Sequence, residues 1–136
     1  MEVIKAYLNL KGIIGVSSPA PPGIAKAIQE KGLQDKVTVV GTSLPTQCAD
    51  YIRDGSLDAI EAYDPAITTY VTSYIFKVIL DGGKLENGMK MEKAATAVAA
   101  GLVIKDTIQM DGKIFTAADP LIIDKSNLEP YVVQGW

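Results

Sequence analysis

The chain of 136 residues contains no histidine and only one cysteine, Cys48. A single thiol excludes an internal disulfide, and a thiolate-type zinc site lacks the partner ligands it needs. Long hydrophobic runs are missing too. The strongest, AATAVAAGLVI from Ala94 to Ile104, falls short of the roughly 20 residues that a membrane-spanning helix requires, so no membrane insertion is expected. Basic charge is scarce: 13 Lys and Arg stand against 16 Asp and Glu, a net charge of -3. That balance is too small and of the wrong sign for a surface that tracks phosphates, which excludes nucleic acid as a partner. The opening MEVIKAYLNL carries alternating charges and no apolar core ending in small residues, so no signal peptide is visible in it.

What remains is apolar enough for one core, with 48% hydrophobic residues. The first two-thirds alternate short β-rich runs with helical patterns, the signature of βαβ units and a parallel sheet. LKGIIGV, KVTVVG and LDAIEAY are the predicted strands. PPGIAKAIQEKG lies between the first two; Pro22 suits its first turn, Ile24 and Ile28 share a face, and Gly32 suits its stop. TQCADYIRDG lies between the second and third, with Thr46 as the expected cap, Cys48 and Ile52 on the buried side, and Gly55 at the end.

A longer helix follows, opened by Asp64 and Pro65 and closed by Gly82 and Gly83. Ile67, Tyr70, Val71, Tyr74, Ile75, Val78 and Ile79 recur at spacings of three and four, which makes one apolar stripe that something must cover. After the Asn87-Gly88 turn, MEKAATAVAAGLVI reads as a small-residue helix in preference to a helix running into a strand. TIQM and KIFT flank Asp111-Gly112, which predicts a type I′ hairpin. PLIID is a short strand, and Ser126 or Asn127 starts a final helical turn.

In an open parallel sheet, ligands bind beyond the carboxyl ends of the strands. Three segments qualify: residues 16–19, 41–45 and 63–65. They offer hydroxyls on Ser17, Ser18, Thr42 and Ser43, the phenol of Tyr63, the carboxylate of Asp64, and backbone amides where helices begin. Hydroxyl groups and a flat aromatic surface suit a neutral, polyhydroxylated ligand. The competing reading is that the serines are turn and cap residues and that Asp64 only caps its own helix.

No catalytic residue, metal ligand or cofactor-binding motif is read. There is no nucleophile elbow, phosphate-cradling loop or metal-ligand cluster. Cys48 sits on an apolar stripe and reads as an inert core thiol. The pairs Asp50 with Asp54 and Asp54 with Asp58 fall around a helix end and a turn, where solvated carboxylates are common.

LKGIIGVSSPAPPGIAKAIQEKG, followed by the stretch from KVTVVGTSLPTQCADYIRDG to ILDGGKLENGM, resembles the second half of type I periplasmic sugar-binding proteins of ABC importers. The likeness runs from about Val3 to about Asn127 and is strongest from Lys11 to Met89. GTSLP is similar to the loop of the branch that binds rhamnose or autoinducer-2. Where ribose- and galactose-type members commonly carry an aspartate, this chain has Ser43, which argues against that subgroup.

The resemblance implies a Rossmann-like α/β lobe with the first lobe absent: residues 1–64 as part of the second lobe, 65–104 as a crossing helix and a segment normally packed on the first lobe, and 105–136 as a hairpin and tail. It implies a non-enzymatic binder of a small sugar-like ligand, with Ser17, Ser18, Ser43, Tyr63 and Asp64 as contacts. The implied parent is periplasmic or a cell-surface lipoprotein and works with an ABC permease. The missing lobe would come from a separate chain, or a homodimer would cover the orphan stripe. The effector-sensing core of a LacI-type transcription regulator shares the fold and is the alternative, but it needs a helix-turn-helix that is not read here. A small enzyme or receiver-like domain is a third possibility; a receiver would want an acidic cluster where Val16-Ser17-Ser18 stands.

Overall fold

Alternation of β-branched runs with amphipathic helices folds as the pattern dictates. The computed structural model describes residues 2–91, 107–116 and 119–135. Their elements are α1 (Glu2–Ala6), β1 (Gly12–Gly15), α2 (Ala20–Lys31), β2 (Thr38–Thr42), α3 (Pro45–Asp54), β3 (Ala59–Ala62), α4 (Pro65–Leu80), β4 (Met89–Lys90), β5 (Thr107–Asp111), β6 (Ile114–Thr116), β7 (Leu121–Asp124) and α5 (Glu129–Val133). They form two compact units, one of residues 1–62 with 121–136 and one of residues 63–120.

The first unit holds a four-stranded sheet in the order β1-β2-β3-β7. The first three strands are parallel and β7 is antiparallel to β3. Because side chains alternate along a strand, the register sorts the sheet into two faces. Ile13 pairs with Val39, and Ile60 pairs with Ile123, all on one face. There they meet Ala25 and Ile28 of α2 and Cys48 and Ile52 of α3 in one continuous core. Burying each of the isoleucines contributes about 1.5 to 3 kcal/mol. The opposite face carries Ile14, Val40, Ala59 and Ile122, and there Ile14 is 70% and Ile122 53% exposed.

Helix ends follow the glycines. Gly32 takes a left-handed φ of 60° and closes α2 with its own N–H on Gln29 O, while Leu33 N–H donates to Ile28 O. Gly55 ends α3 in the same left-handed region, at φ 80°. The start of α3 differs from expectation. Leu44 occupies the cap position in extended conformation, no side chain caps the helix, and Thr46 lies inside it. Pro45 explains the shift, since proline is pre-organised for the first helical position and has no N–H to satisfy.

In the second unit Asp64 caps α4 as the spacing predicts, its carboxylate accepting from Ala66 N–H at 2.8 Å. Strands β4, β5 and β6 form an antiparallel sheet. Met91 and Ile108 are buried, with Tyr70, Val71, Tyr74 and Ile75 of α4 packed against them. The apolar stripe of α4 is thus partly covered: none of its residues is fully buried, and Ile79 remains 51% exposed.

The β5–β6 turn is a correction. Asp111 pairs with Ile114, so the two loop residues are Gly112 and Lys113. Of these, only Gly112 has positive φ, which makes a type II′ turn with glycine first, in place of the expected type I′. The final helix also starts later than expected, at Glu129, because Ser126 and Asn127 are held in a turn by Asp124. The helix expected over residues 91–104 lies, apart from Met91, outside the described residues.

Candidate functional site

At the carboxyl ends of β1 and β2 the sheet is built for close approach. A Cβ on Gly41 would stand 2.2 Å from Gly15 O, and one on Gly15 would stand 2.8 Å from Cδ of Pro21. Both positions therefore require glycine, and their bareness lets the first turn of α2 settle onto the strand ends. These two glycines and Pro21 escaped the sequence reading. The available signal was a glycine closing each of two apolar runs.

The loops leaving the strands are tied to one another. Ser43 is 3% exposed and its Oγ donates to Ser18 O at 2.7 Å. Its N–H donates to Glu61 O at 3.2 Å, which anchors the same loop to β3. Ser43 is also a hydrogen-bond partner of the Cys48 thiol, although burial dominates and pushes that thiol's pKa up. A raised pKa and complete burial leave little thiolate, in keeping with an inert core cysteine. Ser43 thus holds the loops together from within, while the side chains of Ser17 and Ser18 are exposed.

The helix starts supply fewer open amides than expected from sequence. Ala20 N–H donates to Ser17 O at 2.8 Å, and Pro21 and Pro22 have no N–H. Pro45 opens α3 likewise, and Gln47 N–H is taken by Leu44 O. In α4, Pro65 has no N–H, Ala66 N–H is bound by the Asp64 carboxylate, and Ile67 N–H donates to Asp64 O. Proline at the first turn of three helices leaves fewer of the donors with which a helix start grips an anion. What this edge of the first unit presents is hydroxyl and carbonyl chemistry, suited to a neutral ligand.

Tyr63 and Asp64 belong to the second unit. Tyr63 is 63% exposed. Asp64 is half-buried and performs the capping role of the plainer sequence reading with one carboxylate oxygen. The aspartates of the two candidate acid–base pairs are each engaged structurally. Asp50 pairs with Arg53 at 2.9 Å, Asp54 accepts from Ser56 N–H and from Gln29, and Asp58 accepts from Val39 N–H at 2.7 Å. Among the described residues no cluster of three or more metal-ligating side chains occurs, and no helix is long and apolar enough to cross a membrane.

Three parallel strands followed by an antiparallel fourth, with helices returning over one face and loops gathered at the carboxyl ends, define an α/β lobe of the type I periplasmic binding protein kind. The profile of the periplasmic binding protein domain matches residues 1–84, and the chain belongs to that family. Among solved structures, an ABC transporter solute-binding protein from Clostridium phytofermentas with bound L-rhamnose superposes with a TM-score of 0.74 at 20% identity, over 98% of this chain and 43% of its own. LsrB from Clostridium saccharobutylicum in complex with AI-2 gives 0.67 at 25% identity, over 96% and 42%. A sugar ABC transporter protein from Actinomyces odontolyticus gives 0.69 at 22% identity, over 96% and 39%. The chain thus spans about two-fifths of the length of the solved structures it resembles.

Proposed function

We propose that this chain carries part of the ligand site of a sugar-binding protein that serves an ABC-type importer. The observation that carries the reading is the joined edge of the first unit. There Ser43 ties the loop after β2 to the loop after β1, and prolines thin out the helix-start amides. An edge that offers hydroxyls and few helix-start donors fits a neutral sugar-like solute, and solved relatives hold L-rhamnose and AI-2. Ser17 and Ser18 are proposed as direct contacts, with Ser43 acting mainly by positioning Ser18. Tyr63 is proposed to offer its ring face, and Asp64 its second carboxylate oxygen. The parent works in the periplasm or at the cell surface, delivers its ligand to a permease, and performs no catalysis.

Magnitudes set what the chain does alone. A micromolar complex corresponds to about -8 kcal/mol. If one wall of the cleft supplies about half of that, roughly -4 kcal/mol remains, a millimolar Kd. The missing wall is supplied by further polypeptide, on the same chain or another.

Isothermal titration with L-rhamnose, ribose and autoinducer-2 tests the proposal. Micromolar heat is expected from a complete two-lobed protein containing this sequence, and Ser18→Ala with Asp64→Asn should each weaken it. A complete protein that gives no heat with any sugar-like solute would sink the transport reading.

A further inference from the structure

We propose that Asn87 is a self-modification site latched by the β4–β5 pairing: its side-chain amide is lost to attack by the Gly88 nitrogen when that pairing opens, and is kept from it while the pairing stands. The chain has three asparagines, and only Asn87 precedes a glycine; Asn9 and Asn127 are each followed by leucine. Glycine is required after Asn87 because position 88 takes φ 78° in a turn closed by Met89 N–H on Glu86 O at 3.2 Å. A residue without Cβ enters that region at no steric cost. The same bareness leaves the Gly88 nitrogen unshielded by a side chain of its own. Both residues are exposed, so water and base reach them directly.

The chemistry needs no reagent beyond water and its hydroxide. Gly88 N gives its proton to hydroxide and attacks Asn87 Cγ; the N–Cγ bond forms, the Cγ–Nδ2 bond breaks, and Nδ2 takes a proton from water and leaves as ammonia. Water then adds to one of the two carbonyls of the five-membered imide and breaks its bond to nitrogen. Attack at Cγ yields aspartate, and attack at the main-chain carbonyl carbon yields isoaspartate. The intact structure holds both reacting groups elsewhere. Gly88 N–H donates to Ile108 O at 2.9 Å, and Asn87 Oδ1 accepts from Met110 N–H at 2.9 Å. Met110 N–H can only donate, which fixes the oxygen of the Asn87 amide as its partner. The proton that must leave and the carbonyl that must turn are therefore both bonded to β5, and ring closure has to break both bonds.

The latch works in one direction. β4 is two residues long, with Met89 opposite Ile108 and Lys90 opposite Thr107. So short a ladder opens locally at less cost than the enclosed sheet of the first unit. Isoaspartate routes the main chain through Cγ and lengthens it by one carbon, about 1.5 Å, immediately before the paired residues. The oxygen that held Met110 N–H then belongs to the main chain. β4 cannot return to its register, and an opening that was reversible becomes permanent. The aspartate product keeps a side-chain oxygen for Met110 N–H and pairs again. None of this rests on the transport reading.

The test ages the unmodified chain in mildly alkaline buffer beside the free peptide LENGMK, residues 85–90. Conversion of Asn87 is followed by mass spectrometry of tryptic fragments, and isoaspartate by isoaspartyl methyltransferase labelling. In the folded chain Asn87 is expected to convert at least about tenfold more slowly than in the peptide. Ile108→Ala should close that gap to within about threefold while Asn9 and Asn127 keep their rates, and circular dichroism checks that the variant folds. Should it not fold, a low-urea series on the unmodified chain reads the same gate: conversion should rise in step with hydrogen exchange at Gly88 and Met110, ahead of exchange in β1, β2 and β3. Equal rates in folded chain and peptide overturn the proposal. So does slow conversion where exchange at Gly88 and Met110 is fast, and so does a purified isoaspartyl chain that still protects the β4–β5 amides.

Discussion

The two units invest their apolar residues differently. In the first, Ile28, Ile52, Ile60, Ile123 and Leu128 are buried in one cluster that joins three helices to a sheet. In the second, among the described residues, only Met91 and Ile108 are buried, and the surrounding Tyr70, Val71, Tyr74 and Ile75 are half-covered. Cooperative stability follows shared burial, so the first unit should behave as one hard block and the second as a softer one.

The largest test of that contrast is Ile123→Ala. A fully enclosed isoleucine at the β3–β7 pairing leaves a cavity on truncation, and a loss of about 4 kcal/mol is expected in urea unfolding. Hydrogen exchange should quicken across β1, β2 and β3 together; a change confined to β7 would break the picture of one block. Ile108→Ala in the second unit should cost less, about 2 kcal/mol, because its half-exposed neighbours can close over the gap. Its exchange signature should stay within residues 63–120, and spread into β2 would mean the units share one cooperative transition.

Asp64→Ala removes the cap of α4 and should cost about 1 kcal/mol, read as faster exchange in the first turn of that helix. Smallest is the tie of α5 to α3. Hydrogen bonds from Arg53 hold Glu129 below the ordinary glutamate pKa, against an opposing effect of desolvation. A pKa depressed on folding means the contribution is present above the unfolded value and lost as pH falls through the folded one. Glu129→Gln should therefore be slightly less stable than the unmodified chain at neutral pH, and the two should converge as pH drops below the glutamate range. A gap that persists in acid would assign the effect to packing.

The contrast between the units also explains what the sequence made legible. β1, β2, β3 and the stops at Gly32 and Gly55 are local: two-residue alternation, β-branched runs and a glycine at each helix end specify them without reference to the rest of the chain. Pairing of β7 with β3 is not local, since nothing in PLIID says which strand it joins or in which direction. The candidate site was legible as a place and less so as chemistry. Ser17 and Ser18 are exposed where the strand ends put them. Ser43, by contrast, turns inward, because the bare Cα atoms of Gly15 and Gly41 draw the loops close enough for its hydroxyl to reach Ser18 O. The prolines at the helix starts were visible all along, and were read as helix markers when they also remove backbone donors there.

One pairing has a wider architectural meaning. The chain leaves the first unit at Ala62 and re-enters at Leu121, and these two residues face each other across the β3–β7 ladder. Everything from 63 to 120 is, topologically, the tip of a β-hairpin. Closing so long a tip in place of a four-residue one costs about 2 kcal/mol of chain entropy, a modest toll for hanging an entire second body from a single rung of a ladder.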